Sequence, residues 1–211
     1  MRRLPVYLLL DTSGGMFGEP IQALNNALSS LINALRSDPM ALDSVWISII
    51  TFGSKAQVII PLTEIVSFQL PEIVCPQSGP RHTGLALEIL LDSVTREVRK
   101  STETQKGDWK PLLFLFTKGA PNDELAFRTA VPLIKSVGFG AIVSCAAGYL
   151  KNEQLLKLLS DNVVHLDNAD SHTIKQFFKW VSETIEQGNK SQGTGETVTL
   201  PPPPNEITVV I

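Results

Sequence analysis

The 211-residue sequence is short of several features that would each have settled a class of function. It has no apolar run close to the ~20 residues that a helix needs to cross a bilayer. The longest runs, such as Val6–Leu10 and Leu112–Phe116, are far shorter, so no membrane partner is expected. Blocks of like charge are missing too: 18 Lys and Arg against 21 Asp and Glu leave a net charge of −3. Nothing in that distribution would displace counterions from a phosphate backbone, which excludes nucleic acid as an expected partner. There are only two cysteines, Cys75 and Cys145, far apart and without metal-type spacing, and they are expected as buried free thiols. Met1-Arg2-Arg3 opens onto an apolar stretch, but Asp11 ends it early and no small-residue cleavage site follows. A cytoplasmic location is the expectation. His82, His165 and His172 share no ligand-like spacing, and no Ser/His/Asp or Cys/His set is visible.

With 43% hydrophobic and 18% charged residues, the chain is long enough and apolar enough for one domain with a full core. Val6–Leu10 reads as a strand buried on both faces. Pro20 suits a first helical position, and Ile21, Leu24, Leu28, Leu31, Ile32 and Leu35 recur at helical spacing behind it. Val45–Phe52 and Gln57–Ile60, parted by Gly53-Ser54-Lys55-Ala56, predict a second strand and an antiparallel partner. A helix over Leu85–Val98, a strand over Leu112–Thr117 and a helix over Glu124–Val137, ended by Gly138, follow. Then come a strand at Ala141–Ala146, a short helix at Asn152–Ser160, a strand at Val163-Val164 and a last helix carrying Ile174, Phe177, Phe178, Val181 and Ile185. The alternation predicts an α/β fold: a doubly wound, mostly parallel six-stranded sheet with one antiparallel edge strand and helices on both faces.

Composition divides the chain into a domain over 1–187 and a Gly/Ser/Pro-rich tail over 188–211. Pro201-Pro202-Pro203-Pro204 is expected to be extended and outside the packed core. Two readings stand for Ile207–Ile211: a frayed end, or a strand added to a sheet edge, its own or a partner's.

In open parallel sheets ligands bind beyond the carboxyl ends of the strands, where the winding reverses. The turn leaving the first strand is Asp11-Thr12-Ser13-Gly14-Gly15-Met16-Phe17-Gly18, a carboxylate and two hydroxyls among glycines. His82-Thr83-Gly84 and Thr117-Lys118-Gly119 are expected to converge on it. This pattern resembles the von Willebrand factor A domains. Their metal-ion-dependent adhesion site uses Asp-x-Ser-x-Ser after strand one, a Thr on a second loop and an Asp on a third. Within that family the opening Arg2-Arg3-Leu4-Pro5-Val6-Tyr7-Leu8-Leu9-Leu10-Asp11-Thr12-Ser13-Gly14, with Gly18-Glu19-Pro20, is most similar to the bacterial tellurium-resistance (TerY-like) group, and the element order agrees through about Gln187.

The resemblance implies that Asp11 holds a metal-bound water and that Ser13 and Thr83 are direct oxygen ligands of a hard ion such as magnesium. Two positions depart from the pattern: Gly15 stands for the second serine and Lys118 for the third-loop aspartate. An ammonium about 5 Å from a divalent ion is repelled by roughly 2–7 kcal/mol. No cofactor, or weakly bound Mg, is therefore expected, with the Lys118 ammonium paired to Asp11 in the ion's place and offered to an incoming carboxylate. Thr83 has a second reading as a helix cap, and Asp123 is read as a cap of the helix that follows it. Gly15, Met16, Phe17, His82 and Lys118 form the expected partner-binding surface, with the alternative that Met16 and Phe17 tuck under the first helix.

Two enzyme readings compete. Ser13–Gly18 approaches a dinucleotide fingerprint, but Asp11 would repel a pyrophosphate and no acidic residue ends the second strand. A Mg-dependent phosphotransferase using Asp11 as nucleophile lacks a second carboxylate, since Ser13 stands there. The expectation is a non-enzymatic interaction domain. The resemblance implies its partners, a PP2C-like serine/threonine phosphatase and a kinase-like protein of a tellurium- and metal-resistance phosphorylation system.

Overall fold

The computed structural model describes residues 2–148, 153–190, 198–204 and 207–210. Among these residues seven strands form one sheet: β1 (Leu4–Asp11), β2 (Val45–Phe52), β3 (Ala56–Glu64), β4 (Leu112–Thr117), β5 (Ala141–Ala147), β6 (Asn162–Leu166) and β7 (Thr208–Val210). Their spatial order is β3-β2-β1-β4-β5-β6-β7. β1, β2, β4, β5 and β6 run parallel, and β3 and β7 are antiparallel at the two edges. The α/β architecture expected from the alternation is therefore present with one strand and one antiparallel edge more than predicted. The α-helices among the described residues are α1 (Glu19–Ser37), α2 (Pro39–Ser44), α3 (Thr83–Glu97), α4 (Glu124–Val137), α5 (Glu153–Leu159) and α6 (Ser171–Lys190). α2 is absent from the sequence reading; Asp38 starts it by accepting the Met40 N–H at 2.9 Å, with Pro39 at the first helical position. Asn152, expected to open α5, lies outside the described residues.

Because successive strand residues face opposite ways, β1 divides its apolar run between two cores. Leu4, Val6, Leu8 and Leu10 pack with α1 and α6, while Tyr7 and Leu9 pack with α3, α4 and α5. This explains why the run is unbroken rather than alternating: neither face of the strand meets water. On the α1/α6 side Phe116, Phe177, Phe178 and Trp180 make tilted and edge-on ring pairs with centroids 5.2–6.3 Å apart. Cys145 is a buried free thiol as expected, but Cys75 is only half-buried.

The amino edge of the sheet is tied by arginines. Arg3 grips the Asp108 carboxylate with Nε at 2.9 Å and Nη2 at 2.6 Å, and Arg2 donates to the Gly107 and Asp108 carbonyls. Nearby, the Tyr7 hydroxyl donates to Glu97 at 3.0 Å; burial and the Glu97 charge push its pKa above the ordinary tyrosine range.

The composition change at residue 188 does not coincide with a structural boundary. α6 continues to Lys190, and Asn189 accepts the Ser44 hydroxyl at 2.8 Å. The proline run does join the packed core at its first residue: Pro201 is buried and its carbonyl accepts the Trp180 indole N–H at 3.0 Å. Proline lacks an N–H, so this segment can contact the core through ring and carbonyl without leaving an orphan donor. Beyond it Ile207 is buried and β7 pairs with β6, so the added-strand reading holds for the chain's own sheet; Ile211 lies outside the described residues.

Two expectations follow. Gly84 lets α3 approach α4 closely, for a Cβ there would lie 2.3 Å from the Phe127 nitrogen and 2.7 Å from the Ala126 carbonyl carbon. Gly84→Ala should destabilise the fold by about 3 kcal/mol, seen as a fall in Tm of about 6–12 °C. Trp180→Phe, which keeps an aromatic ring and leaves the buried Pro201 carbonyl unpaired, should lower the free energy of urea unfolding by about 1–3 kcal/mol.

Candidate functional site

β1 lies between β2 and β4, with α1 leading one way across the sheet and β4 placed on the other side. The winding reverses between β1 and β4, which opens a crevice at their carboxyl ends. Asp11 ends β1 and Thr117 ends β4 at that crevice. Both are wholly buried.

The Asp11 carboxylate gathers four donors. Oδ1 accepts the Ser13 N–H at 2.8 Å; Oδ2 accepts Arg81 Nε at 2.7 Å, the Thr117 hydroxyl at 3.0 Å and the Lys118 N–H at 3.0 Å. A buried carboxylate needs this, because an ionised group out of water is tolerable only when paired and hydrogen-bonded. The cation at Asp11 is thus Arg81, not Lys118. Lys118 contributes its backbone amide, while its stem passes towards Gly148, with Cε 3.9 Å from where a Cβ there would stand. The physical reason is position: immediately after a strand end, the amide of residue 118 already points at Asp11, whereas Arg81 arrives from a separate segment with its side chain free to insert.

Arg81 belongs to the irregular stretch 65–82 between β3 and α3, which side chains of α1 hold down. Asn25 exchanges two hydrogen bonds with the Ile73 backbone, at 2.8 and 2.9 Å, and Arg36 donates to the Ile65 and Phe68 carbonyls. The Arg81 backbone is fixed reciprocally by Asn122: its N–H donates to Asn122 Oδ1 at 2.8 Å, and its carbonyl accepts the Asn122 N–H at 2.9 Å. Nη1 reaches the Ala120 carbonyl at 3.3 Å, and the side chain is only 16% exposed.

Two glycines make room for this guanidinium. A Cβ at Gly119 would stand 2.2 Å from Nη1 and 2.5 Å from Cζ of Arg81, and one at Gly15 would stand 3.0 Å from Nη2. The position where the family pattern has a second serine is therefore the wall of the Arg81 slot. Ser13 Oγ and Thr83 Oγ1 are both buried and have no hydrogen-bond partner among the described residues. Thr83 does not cap α3; Asp123 does so from the neighbouring loop, accepting the Gly84 N–H at 3.1 Å and the Leu85 N–H at 2.9 Å. Asp123 is thus a cap as expected, but of α3, with no side-chain bond to its own helix α4.

Of the expected surface, Gly15 is exposed and Phe17 is 52% exposed, while His82 and Lys118 are half-buried. His82 Nδ1 lies 3.1 Å from the Ser54 carbonyl. Met16 is corrected: it sits in the core under α1, on the 3-10 turn Gly14–Met16 that rotates it inward and turns Phe17 out. Beside Phe17 a shallow cleft is lined by Gly18, Ile21, Asn25, Ile73 and the exposed Val74. Half-buried Cys75 borders it, its thiol pKa pushed up by burial and by the Asp11 charge.

The residues present fit a divalent ion poorly. Both oxygens of the Asp11 carboxylate are engaged and a guanidinium stands against it, while the Asp123 carboxylate is taken up by the Gly84 and Leu85 amides. Sequence reasoning missed Arg81, although two signals pointed to it: a cation directly before His82-Thr83, and glycines at both Gly15 and Gly119.

A model of the von Willebrand factor type A domain matches residues 6–180. A search of curated proteins finds no significant match. Among solved structures, proximal thread matrix protein 1 of the mussel byssus, in a form with a zinc-occupied MIDAS motif, superposes with a TM-score of 0.60 at 14% identity, over 86% of this chain and 47% of that one. The pilus adhesin SpaC of Lactobacillus rhamnosus GG gives 0.69 at 12% identity, over 89% and 31%. A von Willebrand factor type A protein of Catenulispora acidiphila gives 0.67 at 14%, over 88% and 43%. The chain thus spans less than half the length of these three structures, whose likeness is one of fold. Family model, sheet order and site position agree, and the chain belongs to the von Willebrand factor type A domain family.

Proposed function

We propose that this domain docks partner proteins on the loops beyond the carboxyl ends of its strands, as a scaffold or regulatory element and not as an enzyme. The observation that carries the reading is the state of Asp11, the group best placed for chemistry. It is fully buried, and its oxygens are committed to four internal donors. A phosphotransferase nucleophile must present an oxygen to its substrate, and a docking platform must instead be rigid. Three chain segments are bound to one another here: the turn after β1, the 65–82 stretch and the loop after β4. On that frame Phe17 and Val74 stand exposed, 52% and 72%, on a cleft that Gln22, Asn25 and Glu72 also line. An apolar centre with a polar border suits a protein interface.

The setting we assign is a bacterial tellurium- and metal-resistance phosphorylation system in the cytoplasm, with a PP2C-like serine/threonine phosphatase and a kinase-like protein as partners. Support for it comes from the opening segment Arg2–Gly14 with Gly18-Glu19-Pro20, the part of the sequence most similar to the TerY-like group. Among the described residues, no helix is long and apolar enough to cross a membrane.

Affinity capture of the phosphatase and of the kinase-like protein by the purified chain tests this. At least one should be retained, and Phe17→Ala, a change at a half-exposed side chain, should weaken its binding about tenfold or more. A folded chain that retains neither refutes the assignment.

A further inference from the structure

We infer that Arg81 is a built-in replacement for the metal ion of this fold's adhesion site, so that the site is closed to divalent cations and stays so whatever their concentration. Two features converge on it. First, the guanidinium pairs with the only carboxylate of the loop, Nε to Asp11 Oδ2 at 2.7 Å, with both partners largely withdrawn from water. A planar, always-charged group with several donors suits a buried pair better than an ammonium would. Second, the space it fills has been cleared on both sides: Cβ atoms at Gly119 and Gly15 would stand 2.2 and 3.0 Å from its nitrogens. The residue that removes a hydroxyl ligand, Gly15, is the one that admits the cation. Ser13 Oγ and Thr83 Oγ1 stay buried without a hydrogen-bond partner among the described residues, the hydroxyls an ion would use were the guanidinium absent. A guanidinium directed to Asp11 and Ala120 leaves them over.

The consequence deepens the docking reading and rests on it: a partner meets loops held by a fixed internal ion pair rather than by an ion that comes and goes with free magnesium. The closing experiment contains no partner, so loss of that reading and loss of this inference are separately visible.

Melting curves of the full chain are recorded in EDTA, in saturating Mg2+ and in saturating Mn2+, for the wild type, for Arg81→Ala and for Gly119→Ala. The wild-type Tm should be the same in all three. Arg81→Ala strands the Asp11 charge, and its Tm in EDTA should fall by about 5–15 °C. With the guanidinium gone, Asp11, Ser13 and Thr83 are open to an ion, and Mn2+ should raise that Tm by about 5–10 °C at a hundredfold excess over Kd. Gly119→Ala expels the guanidinium without removing it and should gain the same response to Mn2+ in smaller measure; it carries the test if Arg81→Ala does not fold. A wild-type Tm that rises with either ion overturns the inference. So does a folded Arg81→Ala chain as stable as wild type in EDTA, or variants that ignore Mn2+.

Discussion

A carboxylate that is wholly buried at the end of the central strand must be compensated, and the arrangement of the functional edge follows from that requirement. An unpaired ionised group there would be unfavourable by several kcal/mol, more than most single interactions in a domain of this size can offset. Asp11 therefore draws donors from every segment within reach: the Ser13 amide from its own turn, Thr117 and the Lys118 amide from the end of β4, and Arg81 from the stretch before α3. Each of those segments is otherwise irregular. Their common partner converts separate loops into one rigid surface, and the reciprocal bonds of Arg81 with Asn122 and of Asn25 with Ile73 extend the rigidity outward.

Most of the fold was legible because burial on both faces leaves a plain mark. Val6–Leu10 and Leu112–Phe116 are continuous apolar runs, and the structure puts both in the middle of the sheet. The helices were readable from apolar spacing, and Gly138, in the left-handed conformation at φ 78°, stops α4 where the pattern does. β7 was harder to read since its three residues gain strand character only by pairing with β6, and the prolines before it suggest a chain leaving the core. The buried Pro201 carbonyl beneath Trp180 shows the opposite: that segment is a strap across the end of the domain.

The site was legible in its anions and hydroxyls but not in its cation. Asp11, Ser13 and Thr83 are each wholly buried, and Asp11 accepts the Ser13 N–H. Lys118 was read as the counter-charge because it occupies the aspartate position of the family pattern, and position in a motif says nothing about which way a long side chain turns. Arg81 lies in a stretch without periodicity, so its approach depends on tertiary contacts with Asn122 and on missing side chains at Gly15 and Gly119. Absent atoms are a faint signal in a sequence. In the structure they become the clearest one, as the outline of a guanidinium. Met16 and Phe17 show the same limit: adjacent in sequence, they are sorted to core and surface by one 3-10 turn.

The most direct test is a crystal structure of the chain grown in manganese chloride, with anomalous scattering used to find any ion. The account predicts Arg81 Nε at hydrogen-bond distance from Asp11, with no anomalous peak between Asp11, Ser13 and Thr83. A manganese ion bound there in octahedral coordination, with Arg81 turned out to solvent, would contradict it.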